Sequence, residues 1–77
     1  MYYYPRLRDM REDHDLAQKE VAAILNIDQR VYSNYETGKR QIPVNLLIIL
    51  ARYYNTSVDY LVGLTNDIRP YKRISDK

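Results

Sequence analysis

The sequence predicts an all-α domain built from five short helices. Only two glycines and three prolines interrupt its 77 residues, so most positions favour helix over turn. Leucine, isoleucine, valine and alanine recur three and four residues apart, which is the spacing of one face of an α-helix. A chain of this length buries only about 60% of its unfolded surface, so we expect a single small core.

The first helix, α1, is predicted from Pro5 to about His14. Proline suits the first turn of a helix because its missing N–H would have no partner there. Leu7 and Met10, three residues apart, mark the buried side. The tyrosines before the helix, residues 2–4, are expected to pack on the domain, with an intermolecular contact as the alternative.

The second and third helices are predicted over residues 18–25 (α2) and 29–37 (α3), with a tight turn between them. Asn26 tolerates the left-handed backbone that such a turn needs, and Asp28 is a favourable N-cap for α3. The two sides of α3 differ in character. Its inner side is assigned to Val31, Tyr32 and Tyr35, and its outer side to Gln29, Arg30, Ser33 and Asn34.

The fourth helix, α4, from Val44 to about Tyr54, is apolar on nearly every side. Its core face is predicted from residues spaced three, four and seven apart, namely Leu47, Leu50, Ala51 and Tyr54. Leu46, Ile49 and Tyr53 are left on other faces, with Ile48 as the alternative to Ile49. A helix that is apolar all round is either central in the domain or covered by a partner. These three residues are therefore candidates for core packing or for a dimer contact.

The fifth helix, α5, is predicted over residues 58–62, capped by a serine and ended by a glycine. Leu61 and Leu64 are expected to close the core. From residue 67 to 77 the sequence is polar and basic, which predicts a mobile tail after a folded domain over residues 1–66.

Composition argues against several classes of protein. With no cysteine and one histidine, neither a disulfide framework nor a metal site is expected, and no cofactor. No apolar run approaches the roughly 20 residues of a membrane span, and the start does not resemble a signal peptide, so we expect a cytoplasmic protein that does not contact a membrane. No nucleophile–base pair or glycine-rich phosphate loop is present, which argues against an enzyme. No ligand-binding domain follows residue 66, so no small-molecule ligand is expected. The net charge of +2 is too small to indicate nucleic-acid binding by itself.

The stretch from Gln18 to Gly38 has the packing pattern of a helix-turn-helix. Counting from Gln18, the fifth position must be small where the two helices cross, and it is Ala22. The ninth must accept a left-handed turn, and it is Asn26. Five further positions should be apolar, and they are Val21, Leu25, Ile27, Tyr32 and Tyr35. Each match alone is weak, but all seven together make the pattern specific.

These and neighbouring residues resemble the Cro/C1-type helix-turn-helix family, the lambda-repressor-like DNA-binding domains, over about residues 5–65. Two segments carry most of the resemblance. They are Tyr32-Ser33-Asn34-Tyr35-Glu36-Thr37-Gly38-Lys39-Arg40 followed by Ile42-Pro43, and Ser57-Val58-Asp59-Tyr60-Leu61-Val62-Gly63. Within the family, the chain is most similar to the small phage-repressor-like regulators of Gram-positive bacteria.

The resemblance implies a five-helix lambda-repressor-like fold with α3 in the major groove of double-stranded DNA. Carried over by position, four residues of α3 would face bases or nearby phosphates, namely Gln29, Arg30, Ser33 and Asn34. Glutamine can pair with adenine and arginine with guanine, so the chemistry agrees. Phosphate contacts are implied for Gln18 at the start of α2, and for Lys39 and Arg40 after α3. Arg11 and Glu36 match the family's structural ion pair between α1 and α3.

The sequence departs from the family pattern at four positions. Ala17 replaces the usual threonine, which removes a side-chain cap of α2 and a potential phosphate contact. Asp15 and Asn26 replace common glycines, although both residue types tolerate a left-handed backbone. Ile49 stands where many relatives carry lysine, which favours a protein contact on α4.

Together, the residues and the resemblance predict a bacterial or phage transcriptional regulator, a repressor, that binds a near-palindromic DNA site as a homodimer and is nucleoid-associated when bound. The alternative is a protein-interaction or antitoxin-like module that keeps the fold. The polar outer face of α3 and the basic residues after it favour the regulator. A module that had lost DNA binding should carry acidic or apolar residues there.

Overall fold

Five α-helices lie within residues 3–71, which are the residues that the structure, a computed structural model, describes. The helices are α1 (Pro5–Asp13), α2 (Gln18–Leu25), α3 (Gln29–Glu36), α4 (Val44–Tyr53) and α5 (Val58–Val62). Each bound lies within one residue of the predicted one, since His14, Thr37 and Tyr54 are C-caps of α1, α3 and α4. The predicted all-α class is confirmed. None of the helices in these residues is long and apolar enough to cross a membrane.

The core is a cluster of apolar side chains to which every helix contributes. Its most deeply buried members are Leu7 of α1, Val21 of α2, Tyr32 of α3, Leu50 of α4 and Leu61 of α5. Burying one aliphatic side chain of this size contributes about 1.5–3 kcal/mol. Helix α1 packs on α3 and α5, while α4 packs on α2 and α5. Helices α1 and α2 therefore hold α3 from its inner side, and α4 and α5 support those two helices.

Two leucines lie elsewhere than predicted. Leu46 is only 9% exposed and belongs to the core, because α4 packs on both α2 and α5 and buries a wider face than its sequence spacing indicated. Of the two alternatives predicted for Leu46, its burial agrees with core packing and not with a dimer contact on an outer face. Leu64 is 77% exposed, so it does not close the core. Gly63 turns the chain at φ 88°, and the Leu64 N–H bonds to the carbonyl of Asp59 at 2.8 Å, which directs the chain outward.

Residues with a left-handed backbone set the turns around the motif. Asp15 at φ 56° precedes α2, and Asn26 at φ 58° ends it, as expected from their tolerance of this conformation. Gly38, at φ 84° after α3, meets a second constraint, because a Cβ there would lie 3.0 Å from the Cβ of Tyr3. Both conformation and space therefore favour glycine at this turn.

Both ends of the described chain pack back on the domain. Tyr4 packs against the core and Tyr3 lies beside Gly38, as expected, whereas Tyr2 falls outside the described residues. At the other end, the guanidinium of Arg6 lies 4.0 Å over the ring of Tyr60 and donates to the carbonyl oxygen of Thr65 just beyond α5.

The predicted tail begins with residues that contact the domain. The hydroxyl of Tyr71 donates to Asp59 of α5 at 2.9 Å, and Thr56 donates to the carbonyl oxygen of Ile68. Residues 72–77 lie outside the described part of the chain. The domain boundary at residue 66 stays a prediction.

Candidate nucleic-acid interface

The two helices of the motif pack against each other through the positions assigned to the core. Val21, Ala22 and Leu25 of α2 and Tyr32 of α3 are buried. Tyr35 is partly buried and packs against the same cluster. Because the inner sides of α2 and α3 are used in packing, the outer side of α3 is the one left to meet a ligand.

The N-terminus of α3 is fixed by its cap. Asp28 accepts a hydrogen bond from the backbone N–H of Arg30 at 2.8 Å, which satisfies one of the free amides of the first turn. The same carboxylate lies 3.6 Å from Nε of Arg30, whose side chain is 94% exposed. A pair this exposed contributes little, so the Arg30 guanidinium remains available for a stronger acceptor.

The outer side of α3 carries the residues predicted to face DNA. Gln29 and Arg30 are exposed, while Ser33 and Asn34 are half-buried. Val31 is 37% exposed, so its assignment to the inner side is wrong. Helical geometry puts it at the edge of the packed side, beside Tyr32 and Tyr35, which contact the core. Spacing gives this edge position but not how far the packing extends over it. Val31 therefore adds one apolar side chain to an otherwise polar face.

Behind this face, the carboxylate of Glu36 joins three helices. Arg11 of α1 donates to both of its oxygens, from Nε to Oε1 at 2.8 Å and from Nη2 to Oε2 at 3.0 Å. Tyr32 Oη donates to Oε1 at 2.9 Å, and Gln18 Nε2 donates to Oε2 at 3.0 Å. Arg11 also reaches the carbonyl oxygen of Leu16 at 2.8 Å from Nη1. Neither the contact from Tyr32 nor that from Gln18 was predicted. Tyr32 lies four residues before Glu36 on the same helix, a spacing that brings side chains together, whereas Gln18 lies on another helix and no local pattern relates it to Glu36.

The ionisation of this cluster follows from its contacts. Burial raises the pKa of Glu36, but hydrogen bonds from Arg11, Gln18 and Tyr32 outweigh it, and the pKa lies below its ordinary value. The hydrogen bond from Arg11 to Glu36 raises the pKa of Arg11. Burial, together with the charge of Glu36, raises the pKa of Tyr32. Glu36 is therefore an anion at neutral pH and Tyr32 a neutral hydrogen-bond donor.

The N-terminus of α2 is capped without a side chain at the capping position. Ala17 has no side-chain oxygen, and its backbone N–H instead donates to the carboxylate of Glu20 at 2.7 Å, which is one half of a capping box. Glu20 thus offsets part of the weak cap expected at Ala17. The amide of Ala17 is engaged within the protein, and Gln18, the first residue of α2, is half-buried beside it.

The basic residues after α3 lie at the surface. Lys39 and Arg40 are both exposed, and with Tyr35 and Gln41 they line a shallow open hollow. The backbone N–H of Arg40 bonds to the carbonyl oxygen of Asn34 at 3.1 Å. This bond holds the basic segment close to the C-terminal end of α3.

Four apolar side chains of α4 are exposed on the two flanks of the side away from the core, with the polar Asn45 and Arg52 between the flanks. Ile49 is 40% exposed and Tyr53 48% exposed, and Val44 and Ile48 on the same helix are exposed as well. Ile49 and Tyr53 were predicted to lie on other faces, with Ile48 as the alternative to Ile49, whereas the exposure of Val44 was not predicted. All four residues lie outside the side of α4 that is buried in the core, so their exposure follows once that side is known.

Comparison with known proteins places this geometry in a family. A family model described as helix-turn-helix matches residues 7–61. The chain is 41% identical over 68 residues to the uncharacterized HTH-type transcriptional regulator YobD of Bacillus subtilis, an alignment that covers 88% of this chain and 61% of that protein. It is also 41% identical over 58 residues to the HTH-type transcriptional regulator ImmR of Bacillus subtilis, covering 75% of this chain and 46% of that one.

A solved structure shows the same fold. The crystal structure of a transcriptional regulator from Listeria innocua superimposes with a TM-score of 0.72 at 31% sequence identity, over 80% of this chain and 58% of that one. The chain thus spans about half to three-fifths of the length of these proteins.

Proposed function

Because the chain belongs to the Cro/C1-type helix-turn-helix family, we propose that it is a sequence-specific DNA-binding transcriptional regulator that acts as a repressor. The observation that carries the proposal is the polar outer side of α3, whose inner side is held by the core and whose last residue is held by a buried ion pair. A helix that is held on its inner side and polar on its outer side suits the major groove of DNA, which is about 12 Å wide and admits one α-helix.

Base reading falls to the outer side of α3. Arg30 can donate two hydrogen bonds to the O6 and N7 atoms of guanine, and Gln29 or Asn34 can pair in the same two-pronged way with adenine. Ser33 is a short, less selective donor or acceptor. The exposed methyl groups of Val31 suit apolar contact with the methyl group of thymine.

Phosphate contacts fall to residues at the two ends of the motif. Gln18 lies at the N-terminus of α2, where the helix dipole favours an anion. Lys39 and Arg40 follow α3 and add two positive charges. Contacts of this kind fix the register of a protein on the duplex without reading its sequence.

The chain has a net charge of only +2, so one copy can make few phosphate contacts and would bind DNA weakly by itself. Binding as two copies compensates for this weakness. Paired helix-turn-helix domains read half-sites about 34 Å apart, and this domain measures 36 × 24 × 22 Å, so neighbouring copies can present their α3 helices at such a distance. We propose Ile49 and Tyr53, which are exposed one turn apart on the same flank of α4, as contacts between the copies.

Repression requires only that the protein occupy its site. A dimer bound across a promoter excludes other proteins from the same DNA, so no further contact surface has to be assumed. The protein would then act in the cytoplasm, on the nucleoid.

Selection of bound duplexes from a random DNA pool tests the proposal with the 77-residue protein. We expect enrichment of a near-palindrome with half-sites about one helical turn apart. A pool that shows no enrichment even at low salt would contradict the regulator and favour the protein-interaction or antitoxin-like module instead. Enrichment of a single half-site without symmetry would support sequence-specific DNA binding and contradict binding as a dimer.

A further inference from the structure

We propose that Glu36 is a positioning residue for DNA binding, which holds the carboxamide of Gln18 so that its second N–H faces a DNA phosphate. The inference rests on the proposed function, because it concerns the same surface. Glu36 then has a role beyond its ion pair with Arg11. That role depends on the hydrogen bond from Gln18 of α2 to Glu36 of α3, which is not visible in the sequence.

The chemistry of the two groups fixes the orientation of the amide. An ionised carboxylate only accepts hydrogen bonds, whereas a carboxamide has a donating nitrogen and an accepting oxygen. Since Gln18 lies 3.0 Å from Oε2 of Glu36, its nitrogen and not its oxygen must face Glu36. One N–H is used there. The other N–H of the same nitrogen points away from the carboxylate, and it can meet a phosphate oxygen at the N-terminus of α2.

Glu36 is itself immobilised, which makes it a suitable support. Its side chain is 5% exposed, and Arg11 grips both oxygens while Tyr32 donates to one of them. The rotamer entropy that a free glutamine would lose on meeting DNA is therefore already lost when the protein folds. The arrangement also keeps the negative charge of Glu36 paired with Arg11, so that it does not oppose the phosphate.

The two carboxylate oxygens provide a matched control within the cluster. Oε2 accepts from Gln18, while Oε1 accepts from Tyr32. Removing the Tyr32 hydroxyl therefore perturbs the same carboxylate without touching the hydrogen bond to Gln18. Tyr32→Phe should leave the DNA affinity of the folded protein unchanged, whereas Gln18→Met should lower it.

The first experiment measures the order of glutamine side-chain amides by ¹⁵N relaxation in the 77-residue protein. Gln29 and Gln41 are exposed and serve as mobile references. We expect the Gln18 amide to be rigid in the free protein and in Tyr32→Phe, and one of its two protons to shift when the selected operator duplex is added. A Gln18 amide as mobile as those of Gln29 and Gln41 would overturn the proposal. A rigid Gln18 amide whose proton shifts do not change when the duplex is added would overturn it as well.

The second experiment measures affinity for the same duplex at fixed salt. Gln18→Met should weaken binding about tenfold or more, the range of a hydrogen bond to a charged group. Glu36→Gln should weaken it similarly, and the two substitutions together should weaken it no further than either alone. Additive losses would contradict positioning, and if Glu36→Gln does not fold, the relaxation experiment decides. Wild-type protein that binds no duplex would refute the proposed function itself, whereas a Gln18→Met variant that binds like wild type would refute only this inference.

Discussion

Arg11 and Glu36 form a two-pronged ion pair between α1 and α3, with nitrogen–oxygen distances of 2.8 and 3.0 Å. Their side chains are 14% and 5% exposed, so water screens this pair far less than a surface pair. Because Glu36 is the last residue of α3, the pair fixes that end of the helix relative to α1, while the Asp28 cap and the core fix the other. A buried pair is costly to break, since the partner left behind is an uncompensated charge.

Acid should weaken the fold through Glu36. Burial raises the pKa of Glu36, but the hydrogen bonds it accepts lower it below the ordinary 4.5. A carboxylate with a lower pKa in the folded state stabilises the protein above its unfolded-state pKa and loses that contribution as the pH falls through the folded-state value. We therefore expect the free energy of unfolding, measured in urea, to fall as the pH drops below 4.5. Glu36→Gln should show a smaller fall, and an equal fall would assign the acid sensitivity to other carboxylates.

Two buried tyrosines should differ in how much stability they lose when the hydroxyl group is removed. Tyr32 Oη donates to Glu36, so Tyr32→Phe should lower the free energy of unfolding by about 1–2 kcal/mol. Tyr54 Oη is buried with no hydrogen-bond partner among the described residues, so Tyr54→Phe should leave stability within about 0.5 kcal/mol of wild type or raise it. Urea unfolding of the two variants checks both values. Equal losses would show that burial, and not the bond to Glu36, decides the effect.

The helices were predictable because their ends are set by local chemistry. Asn26, Asp28 and Gly63 terminate or start helices through their own backbone preferences and caps, and each is visible in the sequence. The side that a residue faces at the edge of a helix was less predictable. Val31 and Leu46 were assigned from spacing, yet their burial depends on how many neighbouring helices pack on each face.

In the candidate site, too, some features could be predicted from the sequence and others could not. The outer residues of α3 follow from its period, so their exposure was foreseeable for Gln29 and Arg30. The bond between Gln18 and Glu36 joins residues that are 18 positions apart on different helices. It depends on the crossing of α2 and α3, and on Arg11 arriving from a third helix, which spacing along the chain does not encode.

The two glycines form a matched pair for testing the contact with the N-terminal tyrosine. Both have a left-handed backbone, at φ 84° for Gly38 and φ 88° for Gly63, but a Cβ would meet Tyr3 at 3.0 Å only at Gly38. Gly63→Ala should cost about 1–2 kcal/mol from conformation alone, and Gly38→Ala should cost more. Thermal or urea unfolding measures the difference. Equal costs would mean that Tyr3 moves aside freely.

The exposed flank of α4 that carries Ile49 and Tyr53 should govern self-association. Ile49→Lys places a charge on this flank, and since Ile49 is already 40% exposed, the fold should survive. We expect sedimentation equilibrium to show weaker dimerisation and DNA binding to lose cooperativity between half-sites. Ile48→Lys is the matched control for added charge, because Ile48 is 42% exposed and lies about 100° further round the same helix. Identical sedimentation of Ile49→Lys and wild type would exclude this flank as the dimer contact.

Arg30 and Lys39 should separate base reading from phosphate binding. Arg30→Ala should weaken the free energy of binding to the selected site by about 1–3 kcal/mol and relax the preference for the base that Arg30 contacts. Lys39→Ala should weaken binding to all sequences alike and reduce the slope of log affinity against log salt by about one. Neither side chain contributes to the core, because both are exposed, so both variants should unfold at the wild-type urea concentration. If duplexes selected by Arg30→Ala match those of the wild type at every base, Arg30 does not read sequence, and an unchanged salt slope removes Lys39 from the phosphate contacts.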